Sequence, residues 1–232
     1  MDKPRILLAE DDPNLSFVIE DHLLQAGYEV ICASNGVEGL AEFERHPMDI
    51  CVLDVMMPKM DGFSLATEIR KRNENVPILF LTARSMEEDR LKGFEIGGDD
   101  YISKPFSMAE LTHRIQVFIR RSIQKDESTV KQIALGSLKL DKQNLLISGQ
   151  SGTTQMTQME ADLLFMLFRH KNQLVKREDI LITIWGENDY FKGRSLDVFI
   201  SRLRKYLKED PSLHIKNHHG VGFTLIDDNF SG

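Results

Sequence analysis

The sequence has few cysteines and no long apolar run. The first limits the disulfides and thiol metal sites that the chain can form, and the second argues against a membrane-spanning segment. Cys32 and Cys51 lie in apolar, strand-like contexts, so we expect buried reduced thiols. A metal site at either thiol would need further ligands nearby, and none is evident. No apolar run approaches the ~20 residues that span a bilayer. The first run, Ile6–Ala9, is also too short for a signal-peptide core. The sequence therefore predicts a cytoplasmic protein.

The chain also lacks the excess of positive charge that is typical of simple nucleic-acid binding proteins, because its formal net charge is −7. The two halves differ, however. Residues 1–122 hold 14 lysines and arginines against 22 acidic residues, a net charge of −8. Residues 123–232 hold 15 against 14, a net charge of +1. DNA binding by the second half would therefore depend on local clustering of basic residues.

The first half alternates apolar strand-like segments with segments of helical period. The predicted strands are Arg5–Ala9, Glu29–Ala33, Ile50–Leu53, Ile78–Leu81 and Asp100–Ser103. The predicted helices are Asn14–Ala26, Gly36–Arg45, Phe63–Arg72, Met86–Ile96 and Met108–Arg121. Five such β–α units predict a doubly wound, five-stranded parallel sheet of the flavodoxin-like α/β class.

The second half follows a different pattern after a polar segment at residues 123–129. Short strands with turn signals are predicted from Gln132 to Thr154. The predicted elements that follow are the helices Gln158–His170, Lys176–Trp185 and Ser195–Glu209 and a hairpin at Leu213–Ile226. We therefore predict a first domain at residues 1–122, a linker at 123–129 and a separate α/β module at 130–232.

Polar side chains follow four of the five predicted parallel strands, where ligands bind in open α/β sheets. They are Glu10, Asp11, Asp54, Thr82 and Lys104. Converging carboxylates repel one another unless a cation neutralises them, and hard oxygen ligands suit Mg²⁺. Acids at strand ends are also often solvated helix N-caps, but the whole set predicts a phosphoryl-acceptor site with a magnesium ion and a lysine.

The first half resembles the receiver domains of two-component response regulators over about 120 residues. The matching motifs are Ile6–Asp12, Val52–Pro58, Asp61-Gly62, Leu81–Ala83 and Asp99–Phe106. The resemblance implies that Asp54 accepts a phosphoryl group from a sensor histidine kinase and that Lys104, before a cis proline, binds the phosphate. The implied magnesium ligands are Glu10, Asp11, Asp54 and the backbone carbonyl of Met56.

The resemblance also implies a switch and a dimer. Thr82 would move toward the phosphate, Tyr101 would rotate into the vacated space, and the neighbouring surface would be reshaped. In the OmpR/PhoB-type subfamily such a surface forms a two-fold homodimer upon phosphorylation, with Arg90–Glu110 and Asp100–Arg114 as the expected intermolecular pairs. The implied interface residues are Arg90, Lys92, Glu95, Asp99, Asp100, Glu110, Arg114 and Arg121.

The third predicted helix of the second half has a buried stripe and a basic face. Leu196, Ile200, Leu203 and Leu207 recur at helical spacing, and the same spacing places Arg194, Arg202 and Lys205 on the opposite, open face. A basic helix in a helical trio is a plausible major-groove element. With Trp185-Gly186 and Gly220–Phe223, this segment resembles the winged-helix domain of the same subfamily, although Phe199 and Ser201 stand where histidine or arginine is common.

This second resemblance implies double-stranded DNA as a partner and assigns contacts. The implied DNA-binding residues are Arg194, Val198, Ser201, Arg202, Arg204, Lys205, His219 and Gly220. The wing would be Asn217–Phe223, and the loop Gly186–Gly193 is the segment expected to contact RNA polymerase. The sequence thus predicts a transcription regulator that is not an enzyme.

Two other functions remain open from the residues alone. One is a regulator that works without phosphorylation, which the intact acidic set and Lys104 disfavour. The other is a phosphatase with an aspartyl-phosphate intermediate, which would need a general acid and a cap domain, and neither is evident. A Walker-type loop and an H-E-x-x-H motif are absent from the sequence, so NTPase and zinc-protease functions lack support.

Overall fold

A computed structural model describes residues 3–83, 98–123, 132–186 and 190–229, with the backbone alone at residues 83, 121–123 and 190–194. The chain divides into two compact units, Met1–Gln124 and Lys125–Gly232. Each unit is described by itself. The predicted helix Met86–Ile96 and most of the predicted linker lie outside the described residues.

The first unit follows the predicted alternation closely. Its strands are β1 (Arg5–Ala9), β2 (Glu29–Ala33), β3 (Ile50–Asp54), β4 (Ile78–Ala83) and β5 (Asp100–Lys104). Its described helices are α1 (Pro13–Gln25), α2 (Gly36–Arg45), α3 (Gly62–Arg72) and α4 (Met108–Ile123). The strands form one parallel sheet in the order β2-β1-β3-β4-β5, so the predicted doubly wound fold is confirmed.

The sheet order brings the ends of β1 and β3 side by side. β1 pairs with both β2 and β3, so the strand order reverses at this point. All of β3 is buried, which explains its continuous apolar run. Because every strand is parallel, the residues after β1, β3, β4 and β5 share one edge of the sheet. This is the edge at which doubly wound proteins bind ligands.

Helix caps separate the structural acids from the candidate site acids. Asp12 accepts hydrogen bonds from the backbone N–H groups of Asn14 (2.8 Å) and Leu15 (3.3 Å), so it caps α1. Asp61 caps α3 through the backbone N–H of Ser64 at 2.7 Å. A side-chain carboxylate at this position satisfies an otherwise unpaired N–H of the first turn. Asp12 and Asp61 are therefore structural residues of the loops that follow β1 and β3.

The second unit contains two antiparallel sheets and three helices. The first sheet contains β6 (Gln132–Leu135), β7 (Leu138–Asp141), β8 (Leu146–Gly149) and β9 (Gly152–Gln155), in that order. The remaining elements are α5 (Gln158–Arg169), β10 (Val175–Lys176), α6 (Arg177–Trp185), α7 (Tyr190–Leu207), β11 (Leu213–His218) and β12 (Gly222–Asp227). The second sheet has the order β10-β12-β11 and includes the predicted terminal hairpin.

The structure corrects two sequence-based expectations. Cys51 is buried as expected, but Cys32 is exposed, because it lies on β2, the edge strand of the parallel sheet. Both thiols are unbridged. The two-residue strand β10 joins the terminal hairpin and was not predicted, since two residues are too few to show a strand period.

We predict that Gly62→Ala destabilises the first unit. A Cβ atom at Gly62 would lie 2.2 Å from the backbone oxygen of Asp54, so the loop after β3 would have to move. Overpacking of this kind costs about 1–3 kcal/mol of unfolding free energy. Urea unfolding followed by circular dichroism measures the loss, while the fluorescence of Trp185, the one tryptophan of the sequence, monitors the second unit.

Gly39→Ala is the matched control, because a Cβ atom there meets a flexible side-chain methyl of Leu65 at 3.0 Å rather than backbone. Equal unfolding free energies for Gly62→Ala and Gly39→Ala would contradict the proposed close approach of α3 to Asp54.

Candidate functional sites

Three carboxylates converge at the carboxyl edge of the parallel sheet. One ligand oxygen from each of Glu10, Asp11 and Asp54 lies within 4.8 Å of the others. Glu10 and Asp54 are buried, with exposed fractions of 2% and 5%, whereas Asp11 is exposed. Two buried acids and one open to solvent form a site that is anchored in the sheet and accessible from outside.

Lys104 binds the two buried carboxylates directly. Its Nζ lies 2.6 Å from Oδ2 of Asp54 and 2.8 Å from Oε2 of Glu10. A second contact, 3.0 Å to Oε1, makes the interaction with Glu10 bifurcated. The ammonium group therefore joins the ends of β1, β3 and β5. Charge-assisted hydrogen bonds of this length are among the strongest in proteins.

Burial and mutual repulsion shift the protonation equilibria of this cluster. Burial raises the pKa of Glu10 to about 6, the charge of Asp54 acts in the same direction, and the hydrogen bond from Lys104 opposes both. Burial would lower the pKa of Lys104, but its hydrogen bonds to Asp54 and Glu10 outweigh that effect and raise it. The lysine therefore stays charged, and a further cation would favour the ionised form of Glu10.

The loop after β3 holds Asp54 from its other side. The backbone N–H of Met56 donates to Oδ1 of Asp54 at 3.1 Å, so each carboxylate oxygen has a donor. The loop is fixed by hydrogen bonds from Val55 N–H to the Leu81 carbonyl and from Gly62 N–H to the Val55 carbonyl. Met56 as a whole residue is 57% exposed, so this loop borders the open side of the site.

Thr82 and Tyr101 lie next to the cluster in the sheet register. Asp54 pairs with Leu81, so Thr82 is one residue beyond it on the adjacent strand, and its side chain is buried. Tyr101 is also buried, and its ring stacks on Phe80 at a centroid distance of 5.0 Å. Lys104 precedes Pro105 in a cis peptide bond, as the resemblance implied. The tyrosine therefore occupies an inward position in this structure.

The structure gives three of the expected dimer residues partners within their own chain. Arg114 binds Asp100 at 2.9 Å and Glu110 at 2.6 Å, so the Asp100–Arg114 pair expected across a dimer forms inside one chain. It forms there because α4 returns Arg114 to the start of β5. Arg90, Lys92 and Glu95 lie outside the described residues, as does the side chain of Arg121.

Asp99, also expected at the dimer surface, is buried instead. Its Oδ2 lies 2.9 Å from Nη2 of Arg70 and accepts the backbone N–H of Ile78 at the same distance. The exposed fraction of the residue is 2%. Asp99 therefore fixes the end of α3 to the start of β4, and it does not lie on the exposed surface where the sequence placed it.

Helix α7 has the buried stripe predicted from its spacing. Leu196, Ile200, Leu203 and Leu207 are each at most 1% exposed. Phe199 is buried as well and packs edge-on against Trp185 at 5.6 Å, which explains an aromatic residue at a position where a basic one is common. Among the residues of α7 whose side chains are described, the exposed ones are Asp197, Ser201, Arg204 and Lys205. Val198 is half-buried.

Arg202 does not lie on the open face on which the sequence placed it. Its Nη1 lies 2.8 Å from Oε1 of Glu160 on α5, and its side chain is only 16% exposed. The hydroxyl of Tyr206 donates to Oε2 of the same carboxylate at 3.1 Å. The reason is that α5 covers this side of α7, which helical spacing alone does not reveal. Arg204 is partly engaged too, since it donates twice to the carbonyl of Ile215.

The terminal hairpin forms a wing with an exposed tip. β11 and β12 pair from Leu213↔Asp227 to His218↔Gly222, and His219, Gly220 and Val221 form the turn. Gly220 has a φ of +70°, which favours glycine. His219 and Gly220 are exposed, whereas His218 lies 3.0 Å from the hydroxyl of Thr224.

Two functional candidates were missed from the sequence. Glu160 completes a capping box with Thr157 and also binds Arg202, and the T-x-x-E spacing was a readable signal for its first role. Arg177, at the start of α6, binds Asp197 of α7 through both terminal nitrogens. Arg177 and Asp197 are 20 positions apart, so no local sequence pattern reveals that contact.

Comparisons with known proteins assign both units. Residues 6–116 match the response regulator receiver domain, and residues 150–225 match the C-terminal domain of transcriptional regulatory proteins. The chain is 44% identical over 225 residues to the transcriptional regulatory protein RprY of Bacteroides fragilis strain YCH46, covering 97% of this chain and 95% of RprY. The chain belongs to the OmpR/PhoB-type response regulators.

Further members of the family agree with this assignment. The alkaline phosphatase synthesis transcriptional regulatory protein PhoP of Bacillus subtilis strain 168 is 34% identical, with 95% of this chain and 96% of PhoP covered. The Thermotoga maritima OmpR/PhoB homologue DrrB is 28% identical, with a TM-score of 0.50 over 97% and 100% of the two chains. This response regulator has, among its described residues, no helix long and apolar enough to cross a membrane.

We predict that Arg202→Ala lowers the unfolding free energy of the second unit. Removing one partner of a buried ion pair leaves the other charge uncompensated, here Glu160, at a cost of roughly 3 kcal/mol. Denaturant unfolding measured by Trp185 fluorescence reports on this unit, because Trp185 is buried within it.

Lys205→Ala, an exposed change on the same helix, serves as the control and should shift stability by less than about 0.5 kcal/mol. If Arg202→Ala is as stable as Lys205→Ala, the ion pair with Glu160 contributes nothing to holding α7.

Proposed function

We propose that this response regulator accepts a phosphoryl group on Asp54 from a sensor histidine kinase and then regulates transcription through promoter DNA. The observation that supports the first step is the contact of Lys104 Nζ with Asp54 Oδ2 at 2.6 Å, beside two further carboxylates. A lysine that contacts the nucleophilic carboxylate can neutralise the negative charge on the oxygens of a phosphoryl group during its transfer.

The chemistry at Asp54 follows from its two oxygens. One carboxylate oxygen attacks phosphorus, the bond from phosphorus to the imidazole nitrogen of the kinase breaks, and that nitrogen keeps the electron pair. Lys104 stays protonated and neutralises charge on the phosphoryl oxygens, while the Met56 N–H holds the second carboxylate oxygen. The raised pKa of Lys104 keeps it cationic through this step.

The acidic cluster fits a magnesium ion by the chemistry of its donors. Glu10, Asp11 and Asp54 supply hard oxygen ligands within 4.8 Å of one another, and the backbone carbonyl of Met56 is the fourth proposed ligand. When bound, Mg²⁺ supplies positive charge that offsets repulsion between Asp54 and an incoming phosphoryl group. Asp11, the exposed member, faces the solvent from which the ion would enter.

Phosphorylation would be relayed through Thr82 and Tyr101. Thr82 follows the register partner of Asp54, so its hydroxyl can reach an added phosphate, and Tyr101 on β5 would fill the space it leaves. We propose that the altered surface supports a two-fold homodimer. The interface residues proposed for it are Arg90, Lys92, Glu95, Glu110 and Arg121, with Asp100 and Arg114 retained as intrachain supports.

The second unit would bind double-stranded DNA with α7 and the wing. The proposed α7 contacts are Arg194, Val198, Ser201, Arg204 and Lys205, and the proposed wing contacts are His219 and Gly220. The mixed exposed face and near-neutral charge favour a few directed contacts over a broad electrostatic footprint. We also propose that the segment Gly186–Gly193 contacts RNA polymerase. It was predicted as a loop, but its second half, from Tyr190, is the start of α7, and residues 187–189 lie outside the described residues. We propose as well that the protein acts in the cytoplasm, where promoter DNA lies.

We predict that Asp54→Ala abolishes phosphorylation and leaves the first unit folded. Incubation with radiolabelled acetyl phosphate and Mg²⁺ should label the wild type, and chelation of the metal should prevent labelling. Asp12→Ala is the matched control, because Asp12 caps α1 next to the cluster without belonging to it. This variant should still be labelled. Label retained by Asp54→Ala would place the acceptor on another residue.

A further inference from the structure

Arg177 connects the two elements that are proposed to contact DNA. Its Nη1 and Nη2 donate to Oδ1 and Oδ2 of Asp197 on α7 at 2.9 and 2.7 Å. Its backbone N–H donates to the carbonyl of Val221 in the wing turn at 2.9 Å. Its guanidinium also lies 5.7 Å from the ring centroid of Phe223. One residue, Arg177, therefore contacts both α7 and the wing.

The wing end of this connection is tightly packed. Val175 and Lys176, which precede Arg177, pair with Phe223 and Gly222 of β12. A Cβ atom at Gly222 would lie 2.1 Å from the Val175 carbonyl, so the two strands approach as closely as glycine allows. The start of α6 is thus fixed to the wing, and the Arg177 side chain extends this fixed base to α7.

The Asp197 end lies on the proposed DNA face. Asp197 is exposed, with 54% of its side chain accessible, and Ser201 and Lys205 follow it at helical spacing on the same face. An isolated acid there would repel phosphates, so simple electrostatics predicts that removing its charge tightens DNA binding. An exposed ion pair also contributes little to the stability of the fold.

We propose that Arg177 and Asp197 are positioning residues for DNA binding. The bidentate pair fixes the orientation of α7 relative to the wing, so that both elements meet one duplex in register. This inference rests on the DNA-binding function proposed above. Electrostatics alone predicts that removing the charge of Asp197 tightens DNA binding. The inference predicts the opposite: specific binding weakens, because α7 and the wing are no longer aligned.

The test uses the full-length protein and two duplexes: one selected from random sequences by the wild type, and one unrelated. Asp197→Asn and Arg177→Lys should each weaken binding to the selected duplex by up to about fivefold, the most that an exposed ion pair supplies. Both should change binding to the unrelated duplex by less than about twofold, because that binding does not need the alignment. The salt dependence of Asp197→Asn should match that of the wild type, and its thermal unfolding should be unchanged.

Arg169→Ala is the matched control. It removes an exposed arginine of the same unit, whose guanidinium lies 5.8 Å from the Phe165 ring centroid, and should leave selected-duplex binding unchanged. Tighter or equal binding by Asp197→Asn overturns the inference. The inference is also overturned if Arg177→Lys or Arg177→Ala weakens binding to the selected and the unrelated duplex equally, because Arg177 would then be a plain phosphate contact. A wild type that selects no duplex overturns the DNA-binding function itself, and the inference with it.

Discussion

The contact of one ammonium group with two buried carboxylates determines the arrangement of the first unit. Lys104 ends β5, Glu10 follows β1 and Asp54 ends β3, and the parallel sheet with the order β2-β1-β3-β4-β5 brings these three ends together at one edge. Without the lysine, two buried acids would face each other across a few ångströms with no positive charge between them. The same arrangement leaves Asp11 exposed and the negative charge only partly balanced, which is the electrostatic condition for binding a divalent cation.

Ion pairs also decide which residues of the second unit can meet a ligand. Glu160 draws Arg202 inward against α5, and the Ile215 carbonyl engages Arg204. Asp197 holds Arg177 at the junction of α6, α7 and the wing. The basic residues of α7 therefore divide into those that hold the helix in place and those that remain available. The exposed basic residues that remain, together with the wing, form the proposed DNA-binding face of a unit whose net charge is only +1.

The sequence predicted the elements and the phosphoryl-acceptor cluster well because both depend on short-range patterns. The apolar period set the strands and helices, and the rule that parallel strands share one carboxyl edge placed Glu10, Asp54 and Lys104 together. The errors concern partners that are distant in sequence. Helical spacing put Arg202 on an open face because it does not show that α5 covers it. The resemblance put Asp99 at the surface because the sequence does not show its contact with Arg70, which lies 29 residues earlier.

The central claim is that Asp54, the acidic pair and Lys104 act as one phosphoryl-binding site. The most direct measurement is a crystal structure of the protein with Mg²⁺ and beryllofluoride, which mimics a phosphoryl group on a carboxylate. The account predicts beryllofluoride on Asp54 in contact with Lys104 Nζ and the Thr82 hydroxyl, with the metal held by Glu10, Asp11, Asp54 and the Met56 carbonyl. Beryllofluoride on another carboxylate, or Lys104 turned away from it, would contradict the account.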